Sequence, residues 1–369
     1  MTRVGRHDAD YESLLVQPIA AVLAHPDTGP IDSVFLASFA PRELCGIEDV
    51  AGQVARTLAP LLPSPVPVFG PFRTGGEALY RAIARCQTTR GDVLVVGCEK
   101  MTHVDAAAAA GLLAPRVADE AENAHGATLP ALAALATRAY ADAFRVPASA
   151  FDEVAVKNHA HAAKNPSAHF RREVTAEEVR ASPMVSDPLR RLHCAPMSDG
   201  AAACVISADD GNHPQAPRVT GWGYGLDATR FHDRAHPGMF RAATIASRAA
   251  LARARRTPAD MHVVEIHDAF APFELINLEA MGFFPYGEAW RELARGGLTI
   301  GGRVAVNPSG GMKGRGHPIG VCGLTSMAEV HAQLTGAAAD RQHPHAGVAL
   351  IQSAGGVAPD AYVFVVESA

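Results

Sequence analysis

The run Asp92-Val93-Leu94-Val95-Val96-Gly97 has no polar residue between its ends. A strand with one wet face alternates apolar and polar residues; this one does not, so it needs cover on both faces. The same reading places a strand at Ser33–Ala37, a helix from Gly75 to Cys86 with Leu79, Ile83 and Cys86 on one face, and a strand at Asp199–Ile206. Farther on, helices are expected at Ala242–Ala254 and Leu324–Leu334, and strands at His262–Ile266, Gly347–Gln352 and Asp360–Glu367. Strands and helices in this alternation predict a layered α/β architecture. Each half contains a glycine turn, a helix and a short apolar strand, which suggests an internal duplication. The connector Asn212–Pro217 divides the expected halves, residues 1–214 and 215–369. Residues 102–190 break the rhythm. They are alanine-rich and helical in pattern, hold the polar segment from Lys157 to Phe170, and read as a loop domain inserted over the sheet.

At 369 residues and 48% hydrophobic, the chain can bury one or two substantial cores. A formal net charge of −5 argues against a nucleic-acid partner or a basic membrane arm. Met1 to Asp8 has no apolar signal core, and no window reaches the length of a membrane span, so no membrane association is expected. Cys45, Cys86, Cys98, Cys194, Cys204 and Cys322 follow no paired or metal-type spacing. A reduced, cytoplasmic thiol set fits them. The 17 histidines form no ligand pair backed by carboxylates, so no metal is expected, and no nucleotide fingerprint implies ATP or NAD.

Chemistry concentrates in the run from Val306 to Gly320, where five glycines fall between Gly310 and Gly320. They let the backbone reach positive φ and approach a ligand closely. His317 lies inside this run, just ahead of the helix carrying Leu324, Met327, Val330 and Leu334. The positive end of that helix disfavours imidazolium and leaves a neutral N–H able to donate to an oxyanion. A second histidine, His267, sits where a strand ending at Ile266 turns into a helix through Phe273, Ile276 and Ala280. One such histidine would be an ordinary loop or core residue. Two at strand-to-helix turns, one within a glycine loop, point to a shared pocket for carbonyl chemistry.

These residues resemble a thiolase-superfamily enzyme of the sterol-carrier-protein-x type. The matching segments are Gly97-Cys98-Glu99-Lys100-Met101, Lys157-Asn158-His159 with Asn165-Pro166, Ser198-Asp199-Gly200-Ala201-Ala202 and His267-Asp268-Ala269-Phe270. The last is Asn307-Pro308-Ser309-Gly310-Gly311 continuing through Gly316-His317-Pro318-Ile319-Gly320. The resemblance implies a duplicated five-layered αβαβα fold with an inserted loop domain, a homodimer, and acyl-coenzyme A thioesters as substrates with no permanently bound cofactor. It also implies a site loop of Asn307, Gly310, Gly311, Gly316 and Gly320 around His317. Residues 1–7 leave little room for the family's first core strand.

The departures concern sulfur. At the nucleophile's place in the turn Pro71-Phe72-Arg73-Thr74-Gly75-Gly76 stands Phe72, which cannot form a thioester. The second, acid–base cysteine is replaced by Ala269, and the C-terminal alternative, Gln352-Ser353-Ala354-Gly355-Gly356, also lacks a thiol. Three readings follow. In the first, His317 and His267, the latter through a water, stabilise a thioester enolate while a carbon–carbon bond is made or broken by an aldol route. Asp268, Tyr286 and Glu288 are then proton-shuttle candidates, although Asp268 would equally cap the following helix and the other two would equally lie on a polar loop. In the second, acyl transfer of the acetyl-CoA acetyltransferase type uses another thiol, Cys322, whose place at a helix start would stabilise a thiolate; a small buried residue is the competing reading. In the third, the chain is a non-catalytic subunit of a complex. An OB-fold/zinc-ribbon partner of the DUF35 type accompanies some relatives. Arg171, Arg172, Arg190 and Arg191 would meet the coenzyme's phosphates or form a solvated basic face.

Overall fold

Alternation along single strands decides which layers can form. The structure, a computed structural model, describes residues 1–117, 119–208 and 213–369, so the first residue of the connector, Asn212, lies outside the described residues. In β1 (Ile31–Ala37), Val34 and Leu36 join Leu14 and Leu15 of helix Tyr11–Leu23 and Val54 of helix Val50–Leu58 in one core. Phe35 and Ala37 point the other way, into a second core with Leu79 and Ile83 of helix Gly75–Thr89. The strands β2 (Val68–Phe72) and β3 (Asp92–Glu99) flank β1 in parallel. After a small hairpin, β4 (Met184–Ser186) with β5 (Leu189–Arg190), strand β6 (Gly200–Ile206) returns antiparallel to β3, giving the order β2-β1-β3-β6. The apolar run Asp92–Gly97 lies in β3. Val93 and Val95 face the middle of the molecule, and Leu94 and Val96 face the outer helices.

The second sheet comprises β7 (Arg218–Leu226), β8 (Val263–Glu265), β9 (Ala305–Val306), β10 (Val348–Ala354) and β11 (Asp360–Glu367), in the order β7-β11-β10-β8-β9. Its inner face supplies Ala349, Ile351, Tyr362 and Phe364 to the middle core, and its outer face supplies Leu350, Val363 and Val365 to a third. Helices Gly75–Thr89 and Cys322–Leu334 pack together between the sheets. The result is five layers, helix–sheet–helix–sheet–helix. Each fully buried leucine, isoleucine or valine side chain contributes about 1.5–3 kcal/mol to holding such a stack.

Two strands carry little signal in the sequence. β2 (VFGPF) lies at a sheet edge with its middle residues exposed. β7 (RVTGWGYGL) alternates glycine because helix Arg241–Ala254 rests on it; a Cβ at Gly221, Gly223 or Gly225 would collide with a helix carbonyl. Thr2 N and Gly5 N donate to Ala201 and Asp199, so the first residues bridge to the β6 end and form no longer strand. Residues 102–190 hold helices Ala106–Val117, Glu120–Ala124, Leu129–Phe144, Ser149–Ala163 and Ala176–Ala181 beside the β4/β5 hairpin. Among the described residues no helix is long and apolar enough to cross a membrane.

Candidate active site

The glycine run is tied to the end of β8 by side chains. Asn307 adopts φ 51°, accepts from Ile266 N through Oδ1 at 2.7 Å, and donates through Nδ2 to Glu274 at 2.8 Å. Ser309 Oγ donates to Glu265 at 2.8 Å, and Arg315 Nη1 donates to the same carboxylate at 2.9 Å. Gly310 (φ 98°) passes so close to helix Ser149–Ala163 that a Cβ would lie 2.5 Å from the Ala162 Cβ. Gly311 (φ 60°) lies against the Asp268 carboxylate with no room for a methyl group. Where the sequence suggested an unbroken loop, residues Gly311–Arg315 form a short helix. Gly316 (φ 114°) then turns the chain, and His317 N donates to Ser198 Oγ at 3.1 Å. Gly320 packs against Phe39 N and Glu99.

His267 follows β8 as expected. Its backbone N–H donates to Gln352 Oε1 at 2.8 Å, and its carbonyl accepts from Asn277 at 3.2 Å. Its ring meets that of His317 edge to face, centroids 5.4 Å apart at 83°. The two histidines therefore share one site, and the buried His267 Nδ1 has no hydrogen-bond partner there. Burial pushes the His267 pKa well below the ordinary imidazole range, helped by His317 and by the Arg315 charge. Burial, then Arg315, lowers His317 to about 4. Both rings are neutral at pH 7, and desolvation with a buried guanidinium is the cause.

Asp268 is fully buried and accepts from Met312 N at 2.6 Å and Asn158 Nδ2 at 2.7 Å. It thus caps the short helix Gly311–Arg315, not the helix that follows it in sequence, where no side-chain cap is made. Burial, then the neighbouring Glu274, raises its carboxyl to about 7. Tyr286 and Glu288 lie elsewhere: the first stacks on Phe144 at 5.0 Å, and the second pairs with exposed Arg291. Of the four arginines, Arg172 pairs with Glu178 and Arg190 donates to the Ser182 carbonyl.

Phe72 ends β2 with its ring stacked on Phe35 (5.7 Å, 13°) and the Arg81 guanidinium 5.3 Å above it. It lines a cleft of about 700 Å³ with Phe69, Tyr80, Tyr224 and Tyr362, and no histidine lines that cleft. Besides the His267 ring, the Cys322 side chain meets His317, Sγ to Nδ1 3.0 Å. Its thiol is buried and pushed up to about 12, because burial outweighs the help that the Arg315 charge gives a thiolate. Ala269 is buried, its carbonyl accepting from Ala195 N at 2.9 Å.

Sequence reasoning missed the polar layer beneath the imidazoles. Lys157 and Asn158, on the buried face of helix Ser149–Ala163, both reach Glu274. Lys313 is fully buried, its Nζ 3.1 Å from His159 Nε2, and burial lowers its pKa to about 8. Two signals were legible: the segment Lys157-Asn158-His159 that carries the family resemblance, and Glu265, a carboxylate inside the apolar run Val263-Val264-Glu265-Ile266. Among the described residues no group of three histidine, cysteine or carboxylate side chains is placed to hold a metal ion.

Comparison with known proteins places this geometry. Residues 73–210 match the family model "Thiolase, N-terminal domain", and residues 223–368 match "Thiolase C-terminal domain-like". An acetyl-CoA acetyltransferase of Methanothermobacter thermautotrophicus is 36% identical over 298 residues, 79% of this chain and 77% of that one. Sterol carrier protein 2 of Bos taurus is 31% identical over 305 residues, 76% of this chain but 55% of the longer relative. Among solved structures, the Ltp2-ChsH2(DUF35) aldolase superposes with TM-score 0.83 at 21% identity, covering 100% of this chain and 95% of that one, a likeness of fold.

Proposed function

This chain belongs to the thiolase superfamily, in its sterol carrier protein 2 branch, and we propose that it makes or breaks a carbon–carbon bond beside the carbonyl of an acyl-coenzyme A thioester without forming an acyl-enzyme. The observation that carries this reading is the pair of neutral imidazoles, 5.4 Å apart, in a chain with alanine at position 269 and with Phe72 turned to another cleft. In the cleavage direction a β-hydroxyl gives its proton to water in the site, the Cα–Cβ bond breaks, and an aldehyde or ketone departs. The electron pair of that bond becomes the thioester enolate, and a proton returns to Cα. His317, with His267 acting through a water, donates to the enolate oxygen; one donor of this kind is worth roughly 3–4 kcal/mol. Asn307, Gly310, Gly311, Gly316 and Gly320 shape the loop that holds His317. Asp268, capping that loop, is assigned to positioning rather than to proton transfer.

The organisation that accompanies this reading is two halves, residues 1–214 and 215–369, with the loop domain at about 102–190. The exposed edge of β2, carrying Phe69, supports a homodimer. The similar aldolase includes a DUF35 protein by name, and we extend a partner of that OB-fold/zinc-ribbon type to this chain.

The test is to supply β-hydroxyacyl-coenzyme A thioesters and follow aldehyde or ketone release. His317→Ala is expected to lower kcat by about 10²–10³-fold. Turnover equal to wild type in that variant rules the reading out.

One observation favours acyl transfer instead: Cys322 and His317 are within hydrogen-bond reach, as in an activated thiol pair. The enclosed sulfur weighs against it. An acyl adduct mapped to Cys322 by intact-mass and peptide analysis selects this second reading.

A further inference from the structure

The sulfur of Cys322 lies 3.0 Å from Nδ1 of His317 and 3.3 Å from the Pro318 carbonyl oxygen. Cys322 opens helix Cys322–Leu334 between the two sheets, so packing fixes its position. It is 1% exposed, which closes the sulfur to a substrate but not to the ring beside it. The thiol is held protonated, because burial outweighs the help that Arg315 gives a thiolate. The ring is neutral as well.

With a protonated thiol and a neutral ring, a single hydrogen occupies the line between sulfur and nitrogen. Sulfur is a weak acceptor, whereas an unprotonated imidazole nitrogen is a good one, so S–H···Nδ1 is the better arrangement. The Pro318 carbonyl oxygen, 3.3 Å away, is the competing acceptor for the one thiol hydrogen, and the contact to the ring is the shorter of the two. An Nδ1 that accepts leaves the ring's own hydrogen on Nε2.

We propose that Cys322 is a positioning residue whose thiol donates to Nδ1 of His317 and holds the ring as the Nε2–H tautomer. This deepens the reading of His317 as a carbonyl donor and rests on it, since a ring N–H can stabilise an enolate oxygen and a lone pair cannot. It gives the sulfur a task without nucleophilic attack.

The experiment labels the histidines of the full chain with ¹⁵N and records long-range ¹H–¹⁵N correlations at pH 7. The His317 signals are assigned by their loss in His317→Gln. Wild type is expected to show an unprotonated Nδ1 and a protonated Nε2. Cys322→Ser keeps a donor and keeps that pattern. Cys322→Ala mixes the two tautomers and lowers kcat by about tenfold with little change in KM, the loss of one neutral hydrogen bond. An Nδ1–H signal in wild type overturns the proposal, and so does a Cys322→Ala spectrum identical to wild type. If the alanine variant does not fold, the wild-type and serine spectra decide. The spectra need no substrate, so the expected tautomer without any turnover removes the carbon–carbon bond reading and leaves this one standing.

Discussion

Arg315 and Glu265 form an ion pair, Nη1 to Oε2 2.9 Å, with both side chains 1% exposed. Through Ser309, which Arg315 also binds at 2.8 Å, the pair joins the glycine loop of His317 to the strand that delivers His267. One guanidinium thus fixes the spacing of the two rings, and its charge opposes protonation of both.

Removing one member of this pair leaves the other buried without a partner. Arg315→Met is expected to cost about 3–5 kcal/mol in urea unfolding. Combining it with Glu265→Gln should recover part of that loss. Equal stability of the single and double variants would show that the two side chains do not act as a unit.

The depressed pKa of His317 sets a pH dependence with a definite sign. Between about 4 and the ordinary imidazole value near 6.5, the unfolded chain binds more protons than the folded one. Stability is therefore complete above that window and falls as pH drops through it. His317→Gln should lose less melting temperature between pH 7 and pH 5 than wild type does. A larger loss in the variant contradicts the assignment.

Restoring sulfur at the degenerate position should not restore a nucleophile. The Phe72 ring lies against Phe35 and Arg81, on a cleft that neither imidazole lines. Phe72→Cys incubated with acetyl-coenzyme A is expected to keep its unmodified mass. An adduct at residue 72 would mean that this side chain does reach the reacting centre.

Gly311 combines φ 60° with contact against the Asp268 carboxylate. Gly311→Ala should destabilise by about 1–3 kcal/mol from backbone strain alone and should also displace the helix that Asp268 caps. Thermal unfolding measures the first effect. Loss of turnover larger than the loss of folded protein measures the second.

The free edge of β2 exposes Phe69. If two copies pair there, Phe69→Lys shifts the chain to a monomer in light scattering after size exclusion. An unchanged mass places any dimer contact elsewhere.

The layered fold was legible because period and burial agree along β3, β8, β10 and β11. Where they part, as in β2 and β7, the strand depends on a sheet edge or on a helix resting upon glycine, and no local pattern announces it. His267 lies, as its sequence implied, where β8 hands over to a helix; His317 instead sits between the short helix Gly311–Arg315 and helix Cys322–Leu334, and tertiary packing brings the two rings together.

By itself the sequence determined the α/β layering, the two histidines, and the absence of cysteine at positions 72 and 269. Tertiary structure alone decided which charges lie beneath them. Arg315 reaches Glu265 across 50 residues, and Lys157 reaches Glu274 across 117. Such pairs have no period to detect, because their energy comes from shared exclusion of water, a property that no single segment possesses.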